Sequence, residues 1–301
     1  MNDFEGVIPA IATPMDENGR FNEDVFRKIV AFNIDAGVHG FWVAGGTGES
    51  VLLDDEENKQ IASAIVDECQ GRAKVIMHVG AVTTERTTRL AEYAGKVGAD
   101  AICCVPPFFY RRDEDEITEY YRVVAGAADL PLFVYNLPGA TGVEITPGLM
   151  QKIQDRVPQL KGLKHSASTF SNVRTFAQMG LSCFIGNHRL MLPAMTVGAC
   201  GCVDGPLNIL PELWVALWDA YQAGDLQAAQ AAQERCSAAY EALSVGDGFH
   251  SVIKAALSAR LSVDCGNPRP PGKPMSGAQR AQIRETIKGL YLATVFVKIQ
   301  S

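Results

Sequence analysis

Several features that mark particular classes of protein are missing from this sequence of 301 residues. The first residues, Met1-Asn-Asp-Phe-Glu5, are acidic and lack the apolar core of a signal peptide, and no apolar stretch is long enough to cross a bilayer. The net charge is −7, without a lysine and arginine cluster that would bind nucleic acid or an anionic membrane. We therefore expect a cytoplasmic protein that binds neither nucleic acid nor membrane.

The sequence also lacks the residue spacing of a metal site. Its eight cysteines are dispersed, and several lie in apolar segments, where a free thiol behaves as a small hydrophobic side chain. Cys200-Gly-Cys202 is isolated and has no histidine pair with it, so we expect no bound metal. We expect the cysteines to be structural and reduced, as they are in a reducing compartment.

What the sequence does contain is a regular alternation of short apolar runs and amphipathic segments, which continues as far as residue 222. The runs are bounded by Gly, Pro or Asn, and several are rich in Val and Ile, which is typical of parallel strands buried on both faces. The predicted strands are Val7–Ala12, Phe41–Ala44, Val75–Val79, Ala101–Val105, Leu132–Tyr135, Leu160–Lys164, Cys183–Ile185 and Gly201–Val203. The predicted helices are Asn22–Ala36, Asp54–Cys69, Thr84–Val97, Glu114–Ala127, Thr146–Ile153, Ser171–Met179, Arg189–Val197 and Leu210–Tyr221.

Strict alternation of this kind predicts an α/β protein with a parallel sheet, and eight units close a (β/α)8 TIM barrel more naturally than they fill an open sheet. An open dinucleotide-binding sheet is disfavoured because the turn Gly45-Gly-Thr-Gly-Glu49 lacks the Gly-x-Gly-x-x-Gly spacing. Further along the chain there are no strand-like runs, and three helices are predicted at Asp225–Leu243, Phe249–Leu261 and Gly277–Val297. We therefore predict a barrel domain at residues 1–224 and a C-terminal three-helix appendage at residues 225–301.

Lys164 is the most unusual residue in this pattern because it ends the predicted sixth strand. An amine at the end of a buried strand is costly unless it is neutral, paired or used in chemistry. Removal from water favours the neutral amine, which is the form that attacks a carbonyl. By position alone, a strand-end lysine that reaches solvent is the commoner explanation.

The residues predicted to surround Lys164 favour the chemical explanation. In a barrel the reacting groups lie at the carboxyl ends of the strands, so Tyr135 at the end of the fifth strand should share one mouth with Lys164. A tyrosine hydroxyl can shuttle protons while an imine forms. The Gly45–Ser50 loop offers backbone N–H groups and the Thr47 hydroxyl, which suit the carboxylate of a small acid. Together these residues indicate Schiff-base chemistry on a 2-oxo acid.

At these residues the sequence resembles the dihydrodipicolinate synthase/N-acetylneuraminate lyase family of class I aldolases. The resemblance extends over nearly the whole chain, and its specific parts are Gly45-Gly-Thr-Gly-Glu-Ser50, Tyr135-Asn-Leu-Pro-Gly-Ala-Thr-Gly142 and Gly162-Leu-Lys164. It implies a (β/α)8 barrel with a C-terminal helical bundle, usually in a homotetramer built as a dimer of dimers.

The resemblance also implies roles for individual residues. Lys164 would form the imine with pyruvate or a related 2-oxo acid, and Tyr135 would be the acid/base residue. Thr47, with neighbouring loop amides such as that of Gly46, would hold the substrate carboxylate. No metal or organic cofactor is expected, because the protonated imine is itself the electron sink.

Three positions depart from the pattern of the family. Synthases that make dihydrodipicolinate carry, at the position of Ala140, an arginine that binds the carboxylate of aspartate semialdehyde, and a methyl group cannot replace it. A hydroxyl residue is usual at Gly46, and a tyrosine borrowed from a neighbouring subunit is usual at Phe109. The usual relay of protons to Tyr135 therefore lacks two members, and Tyr110 or a water molecule would have to complete it. The absence of the arginine disfavours the synthesis of dihydrodipicolinate.

The remaining residues at the strand ends form a polar wall suited to the hydroxyl groups of a sugar-acid-like substrate. Sialic-acid lyases carry acidic residues after the seventh strand, where this chain has an asparagine and a histidine. His165 is a weaker candidate for this wall, since each such residue can instead hydrogen bond the backbone. The candidate binding residues are Ser166, Gly186, Asn187, His188 and Asp204.

The leading hypothesis is a Schiff-base lyase that cleaves a 2-keto-3-deoxy sugar acid or a related 2-oxo acid by a retro-aldol reaction. The same imine permits loss of water or ammonia, so a dehydratase or deaminase is the second hypothesis. Dihydrodipicolinate synthase is a third, disfavoured by Ala140. A non-catalytic member that binds a small acid is disfavoured by the presence of both Lys164 and Tyr135.

Overall fold

Parallel strands form the centre of the fold in the computed structural model, which describes residues 4–245 and 248–300, with side chains as far as residue 290. The strands in this part of the chain are β1 Gly6–Pro9, β2 Gly40–Val43, β3 Lys74–His78, β4 Ala101–Cys104, β5 Leu132–Asn136, β6 Leu160–His165, β7 Ser182–Ile185 and β8 Gly201–Asp204. They form one sheet in the order β1-β8-β7-β6-β5-β4-β3-β2, and each pair along it is parallel.

The two edges of this sheet meet and close a barrel. The Ile11 N–H donates to the Trp42 carbonyl at 3.0 Å, and the His39 N–H donates to the Val7 carbonyl at 2.9 Å. These bonds place β1 beside β2, and Ala10 forms a parallel bridge with Trp42. The predicted (β/α)8 barrel is therefore confirmed.

Helices follow the strands and cover the outside of the barrel. Most begin and end within one helical turn of the predicted residues, and one short helix after β5 was not predicted. The helices among the described residues are α1 Glu23–Asp35, α2 Asp55–Cys69, α3 Thr84–Val97, α4 Glu114–Ala128, α5 Pro138–Thr141, α6 Pro147–Arg156, α7 Asn172–Gln178, α8 Met191–Thr196, α9 Pro211–Gln222, α10 Leu226–Leu243, α11 Phe249–Leu261 and α12 Gly277–Gln300.

Local hydrogen bonds explain why several helices begin where they do. Asp54 and Asp113 each accept from a backbone N–H three residues later, and Glu57 and Glu116 bond back to the cap residue. Such reciprocal caps satisfy N–H groups that have no partner inside the helix. The acidic residues in the first turns of α2 and α4 therefore belong to their caps.

Apolar side chains fill both sides of the barrel wall. One cluster lies inside the barrel, and a larger one lies between the strands and the helices. Because the strands are buried on both faces, they form nearly continuous apolar runs in the sequence. Large members of the inner cluster are Ile8, Trp42, Ile76, Phe133, Tyr135 and Phe184.

The helices after residue 225 pack on the outside of this barrel. Helix α10 packs on α9, and α11 contacts α1 and the short 3₁₀ segment Gly205–Asn208, while α12 packs on α11. All eight cysteines are free thiols. Among the described residues, no helix combines the length and apolar character needed to cross a membrane.

Candidate active site

Lys164 lies inside the barrel near the carboxyl end of β6. Its residue is 3% exposed, so the alternative in which this lysine reaches solvent is wrong. Its neighbours in the sheet are Tyr135 on β5 and Phe184 on β7. The Nζ atom lies 4.5 Å from the centre of the Tyr135 ring and 5.7 Å from a ring of Trp42. The amine is therefore enclosed by two aromatic side chains.

Gly186, directly after β7, makes room for the Lys164 side chain. A Cβ atom at residue 186 would lie 3.1 Å from Lys164 Cε and would also overlap the Ser166 hydroxyl. Ser166 Oγ is buried and has no hydrogen-bond partner among the described residues. Buried hydroxyl groups are normally paired, so this oxygen is available to a bound molecule. The structure thus brings Ser166 and Gly186 next to the lysine.

Tyr135 is 5% exposed and faces the glycine-rich loop that follows β2. A Cβ atom at Gly46 would stand 3.6 Å from the Tyr135 hydroxyl, so a side-chain hydroxyl at this position could reach it. Gly46 offers its carbonyl instead, which accepts from His250 Nε2 at 2.9 Å. Beside these residues is a cavity of about 280 Å³ with mainly apolar walls, which Ala140 also lines.

The glycine-rich loop is held in place by bonds from three directions. Ala44 and Glu49 have φ angles of 50° and 63°, a left-handed conformation that is unfavourable for residues other than glycine. Thr13 Oγ1 donates to the Gly48 carbonyl at 2.9 Å. The Glu49 carboxylate accepts from the Arg269 N–H at 2.6 Å and pairs with Lys254 Nζ at 2.5 Å.

The bonds around this loop fix the position of Thr47, which is 7% exposed. Its hydroxyl faces Gly205 at the end of β8, because a Cβ atom at residue 205 would lie 2.9 Å from Thr47 Oγ1. Thr47 is therefore beside the same end of the barrel as Lys164. Its role as a carboxylate ligand stays a prediction.

Asp204 and His188 form a bonded pair at the ends of β8 and β7. Asp204 Oδ2 accepts from the His188 backbone N–H at 2.9 Å and lies 2.8 Å from His188 Nδ1. Burial raises the pKa of the Asp204 carboxyl, but the His188 hydrogen bond and the positive charges of His188 and Lys164 outweigh it and leave the pKa lowered. The Asp204 carboxyl is therefore kept ionised by its bonds to His188.

Other neighbours of His188 indicate that its ring faces outward from the barrel. The ring lies edge-on to Trp214 and Tyr240, at 5.8 and 4.6 Å between ring centres. Asn187 accepts from the Arg189 N–H at 3.1 Å and so starts the short helical turn that follows it. The structure thus gives both residues structural partners, and their contact with substrate stays a prediction.

Tyr110 lies on the loop after β4 and is not brought into the group around Lys164. Its residue is 66% exposed, and the preceding Phe109 is 85% exposed with a φ angle of 77°. The two rings contact each other edge-on at 5.0 Å. Both side chains therefore lie on the surface of the single chain.

His165 has structural partners for both ring nitrogens. Nε2 lies 3.1 Å from the Thr169 carbonyl, which can only accept, and Nδ1 lies 3.3 Å from the Asn136 amide nitrogen. Asn136 also exchanges two hydrogen bonds with the backbone of Ile145, both at 3.0 Å. Asn136 therefore holds the turn after β5, and His165 contacts it from β6.

His78, Trp42 and His250 were missed by the sequence reasoning. His78 ends β3 inside the barrel, where its ring lies edge-on to Tyr135 at 6.2 Å. Burial, with the charge of Lys164, lowers its pKa to about 4. A polar residue at the end of a buried strand was the signal that singled out Lys164, and it applies equally to His78.

The fold and the strand-end lysine and tyrosine define a barrel enzyme of the lyase class. The chain belongs to the dihydrodipicolinate synthetase family, whose sequence profile matches residues 3–290. An uncharacterised DapA-like lyase of Halobacterium salinarum is 34% identical over 291 residues, which cover 96% of this chain and 95% of that protein.

Two solved structures support the same membership. A catalytic lysine mutant of Ruminococcus gnavus sialic acid aldolase is 25% identical, with a TM-score of 0.93, and the match covers 98% of each chain. The YagE protein of E. coli K12, determined in complex with pyruvate, is 25% identical, with a TM-score of 0.89 and coverage of 96% of this chain and 99% of that one.

Proposed function

We propose that this lyase forms an imine between Lys164 and a 2-oxo acid, and that it cleaves a 2-keto-3-deoxy sugar acid or a related 2-oxo acid. The observation that carries the proposal is the buried Lys164 amine, which lies 4.5 Å from the Tyr135 ring. One of the two structural neighbours is a catalytic lysine mutant and the other was determined in complex with pyruvate, which supports this proposal.

The proposed chemistry uses the amine as nucleophile and the phenol as proton carrier. Lys164 attacks the C2 carbonyl, and Tyr135 delivers a proton to the resulting hydroxyl, which leaves as water. The protonated imine then draws electrons from the C3–C4 bond. That bond breaks as the Tyr135 phenolate takes the proton of the C4 hydroxyl, and an aldehyde departs. Protonation of the enamine at C3 and hydrolysis release pyruvate and restore the amine.

In the proposed binding arrangement, two groups of residues contact different parts of the substrate. Thr47 and the loop amides, including that of Gly46, would hold the carboxylate next to the imine. Ser166, whose hydroxyl has no partner among the described residues, would bind a substrate hydroxyl, with Asp204 beyond it. The cavity that Ala140 lines has no arginine in its wall, which supports a substrate other than aspartate semialdehyde.

The proposal is tested by mass spectrometry of the products from a panel of 2-oxo acids. We expect pyruvate plus an aldehyde, whereas a dehydratase or deaminase would keep the carbon skeleton intact. Lys164→Ala should abolish turnover. Lys161→Ala is the matched control, since Lys161 is on the same strand but partly exposed.

Two results would contradict this account. Substantial turnover by Lys164→Ala would remove the imine from the mechanism. Formation of dihydrodipicolinate from pyruvate and aspartate semialdehyde would overturn the argument from Ala140.

A further inference from the structure

The cavity next to Tyr135 has one buried nitrogen in its wall that the proposed imine chemistry does not use. His78 lines this cavity together with Gly46 and Tyr135. The residue is 4% exposed, and its Nε2 atom has no hydrogen-bond partner among the described residues. A buried nitrogen without a partner costs free energy, so proteins keep few of them.

The space around this nitrogen depends on a glycine. A Cβ atom at Gly80 would lie 2.9 Å from His78 Nε2 and 3.0 Å from its Cε1, so only glycine leaves the ring room in this position. The ring is also hydrogen bonded to the backbone of Ala44, at the start of the glycine-rich loop. Because Nε2 is free, that bond uses Nδ1 as donor, and Nε2 remains as an acceptor.

Tyr135 needs such an acceptor. Its hydroxyl makes no hydrogen bond to any described residue. Gly46 has no side chain that could bond it, and a Cβ atom built at that position would lie 3.6 Å from the hydroxyl oxygen. The ring centres of His78 and Tyr135 are 6.2 Å apart at an interplanar angle of 90°, so the two side chains are in contact. His78 is therefore a polar side chain of this cavity that contacts the Tyr135 ring and has a nitrogen without a partner among the described residues.

We propose that His78 is the positioning residue for Tyr135: Nε2 accepts a hydrogen bond from the Tyr135 hydroxyl, directly or across one water molecule, in place of a hydroxyl side chain at residue 46. This assignment rests on the proposed imine chemistry. The hydrogen bond directs the phenolic proton to His78 and turns the free lone pairs of the oxygen toward the reacting groups.

The proton balance of the cycle is preserved. Tyr135 gives its proton to the departing hydroxyl and recovers one from the C4 hydroxyl of the substrate. His78 accepts only a hydrogen bond from the phenol and takes no proton, so none is gained or lost over the cycle. Burial, with the charge of Lys164, lowers the pKa of His78 to about 4, so at neutral pH the ring is uncharged and keeps its acceptor.

The test compares steady-state kinetics of two substitutions at His78. His78→Leu removes the acceptor, and we expect kcat to fall by about 10-fold, less than the roughly 10²-fold or more expected for loss of the proton carrier itself, with KM little changed. His78→Gln keeps an acceptor oxygen and should retain more of kcat. His39→Gln is the control for loss of a partly buried imidazole away from the site, because His39 precedes the amino end of β2.

A rescue experiment distinguishes positioning from packing. Gly46→Ser in the His78→Leu background places a hydroxyl next to Tyr135 and should raise kcat above that of His78→Leu alone. In the Tyr135→Phe background neither substitution should change kcat further, because the residues act through the phenol. If His78→Leu does not fold, the rescue is measured in His78→Gln instead. A kcat that rises when Gly46→Ser is added supports the assignment, and an unchanged kcat contradicts it.

Three results would overturn the assignment of His78: an unchanged kcat in His78→Leu, an absence of rescue by Gly46→Ser, or an equal loss in the Tyr135→Phe background. Failure of the underlying function gives a different result. In that case the unmodified protein itself forms no borohydride-stable adduct with pyruvate at Lys164.

Discussion

Two lysines buried in this protein differ in the way their charge is accommodated. Lys254 pairs with Glu49 at 2.5 Å and donates to the Asn267 carbonyl at 3.0 Å, so its charge has a carboxylate partner. Within the described part of the chain, no carboxylate lies at ion-pair distance from Lys164 Nζ. The ion pair with Glu49 explains how Lys254 is accommodated, whereas the proposed imine chemistry would explain why Lys164 is buried without one.

Tyr135→Phe is the residue-scale prediction for the mechanism. Loss of the phenol oxygen should lower turnover by about 10²-fold or more, as for a positioned proton donor. The ring contact with Trp42, at 5.5 Å between ring centres, remains possible, so the variant should fold normally. Steady-state kinetics measures the loss of turnover, and thermal denaturation checks that the variant folds normally. An unchanged rate would remove Tyr135 from the mechanism.

His78 predicts a pH dependence of stability. Its pKa is about 4 in the folded protein, against the ordinary value of 6.5. Between these values the unfolded chain binds a proton that the folded protein does not, so stability is full above pH 6.5 and falls as the pH drops toward 4. Between pH 6.5 and 4 this group lowers the free energy of unfolding by about 3 kcal/mol, because each pH unit contributes about 1.36 kcal/mol.

Chemical denaturation of the unmodified protein and of His78→Gln, at a series of pH values, measures this contribution. The free energies of unfolding of the two proteins should follow different slopes between pH 4 and 6.5 and parallel ones above pH 7. Parallel curves throughout would show that His78 is not held uncharged by burial.

At the scale of the element, β6 is the strand that carries the site, and it packs unusually closely against its neighbours. A Cβ atom at Gly162 would overlap the Ser182 carbonyl on β7 and lie 2.9 Å from the Phe133 ring. Lys164 follows two residues later on the same strand. The position of the amine therefore depends on the close approach of β5, β6 and β7.

Gly162→Ala should destabilise the protein by about 1–3 kcal/mol, the usual cost of overpacking a core, and should also lower activity by shifting Lys164. Gly126→Ala is the matched control, because Gly126 is in helix α4 and a Cβ atom there would meet nothing within 4 Å. That substitution should be neutral or stabilising by up to about 1 kcal/mol. Equal unfolding free energies for the two variants would contradict this description of β6.

The same elements show how far the sequence could predict this structure. Strands buried on both faces and capped helices leave strong local signals, so helices such as α3 and α11 begin and end at the predicted residues. Lys164 and Tyr135 were found because they end predicted strands. His78 carries the same strand-end signal and was overlooked. Trp42 was missed because its proximity to these residues depends on strand register and ring orientation, which local patterns do not encode.

At the scale of the whole molecule, we predict a homotetramer from the family resemblance. The single chain exposes a group of apolar side chains that Val51, Leu52, Val82, Phe109 and Tyr110 contribute. Mass photometry should give a particle of four times the chain mass of 32.4 kDa. Phe109→Asp should lower the mass if this loop contributes to the contact. A particle of one chain mass across the concentration range would contradict the prediction.

The imine at Lys164 is the central claim, and borohydride trapping tests it most directly. The protein is incubated with pyruvate and sodium borohydride, and intact mass and peptide mapping locate the product. We predict one reduced pyruvate adduct per chain, on the peptide that contains Lys164, and none in Lys164→Ala. A protein that binds pyruvate but gains no mass at Lys164 under these conditions would contradict the account.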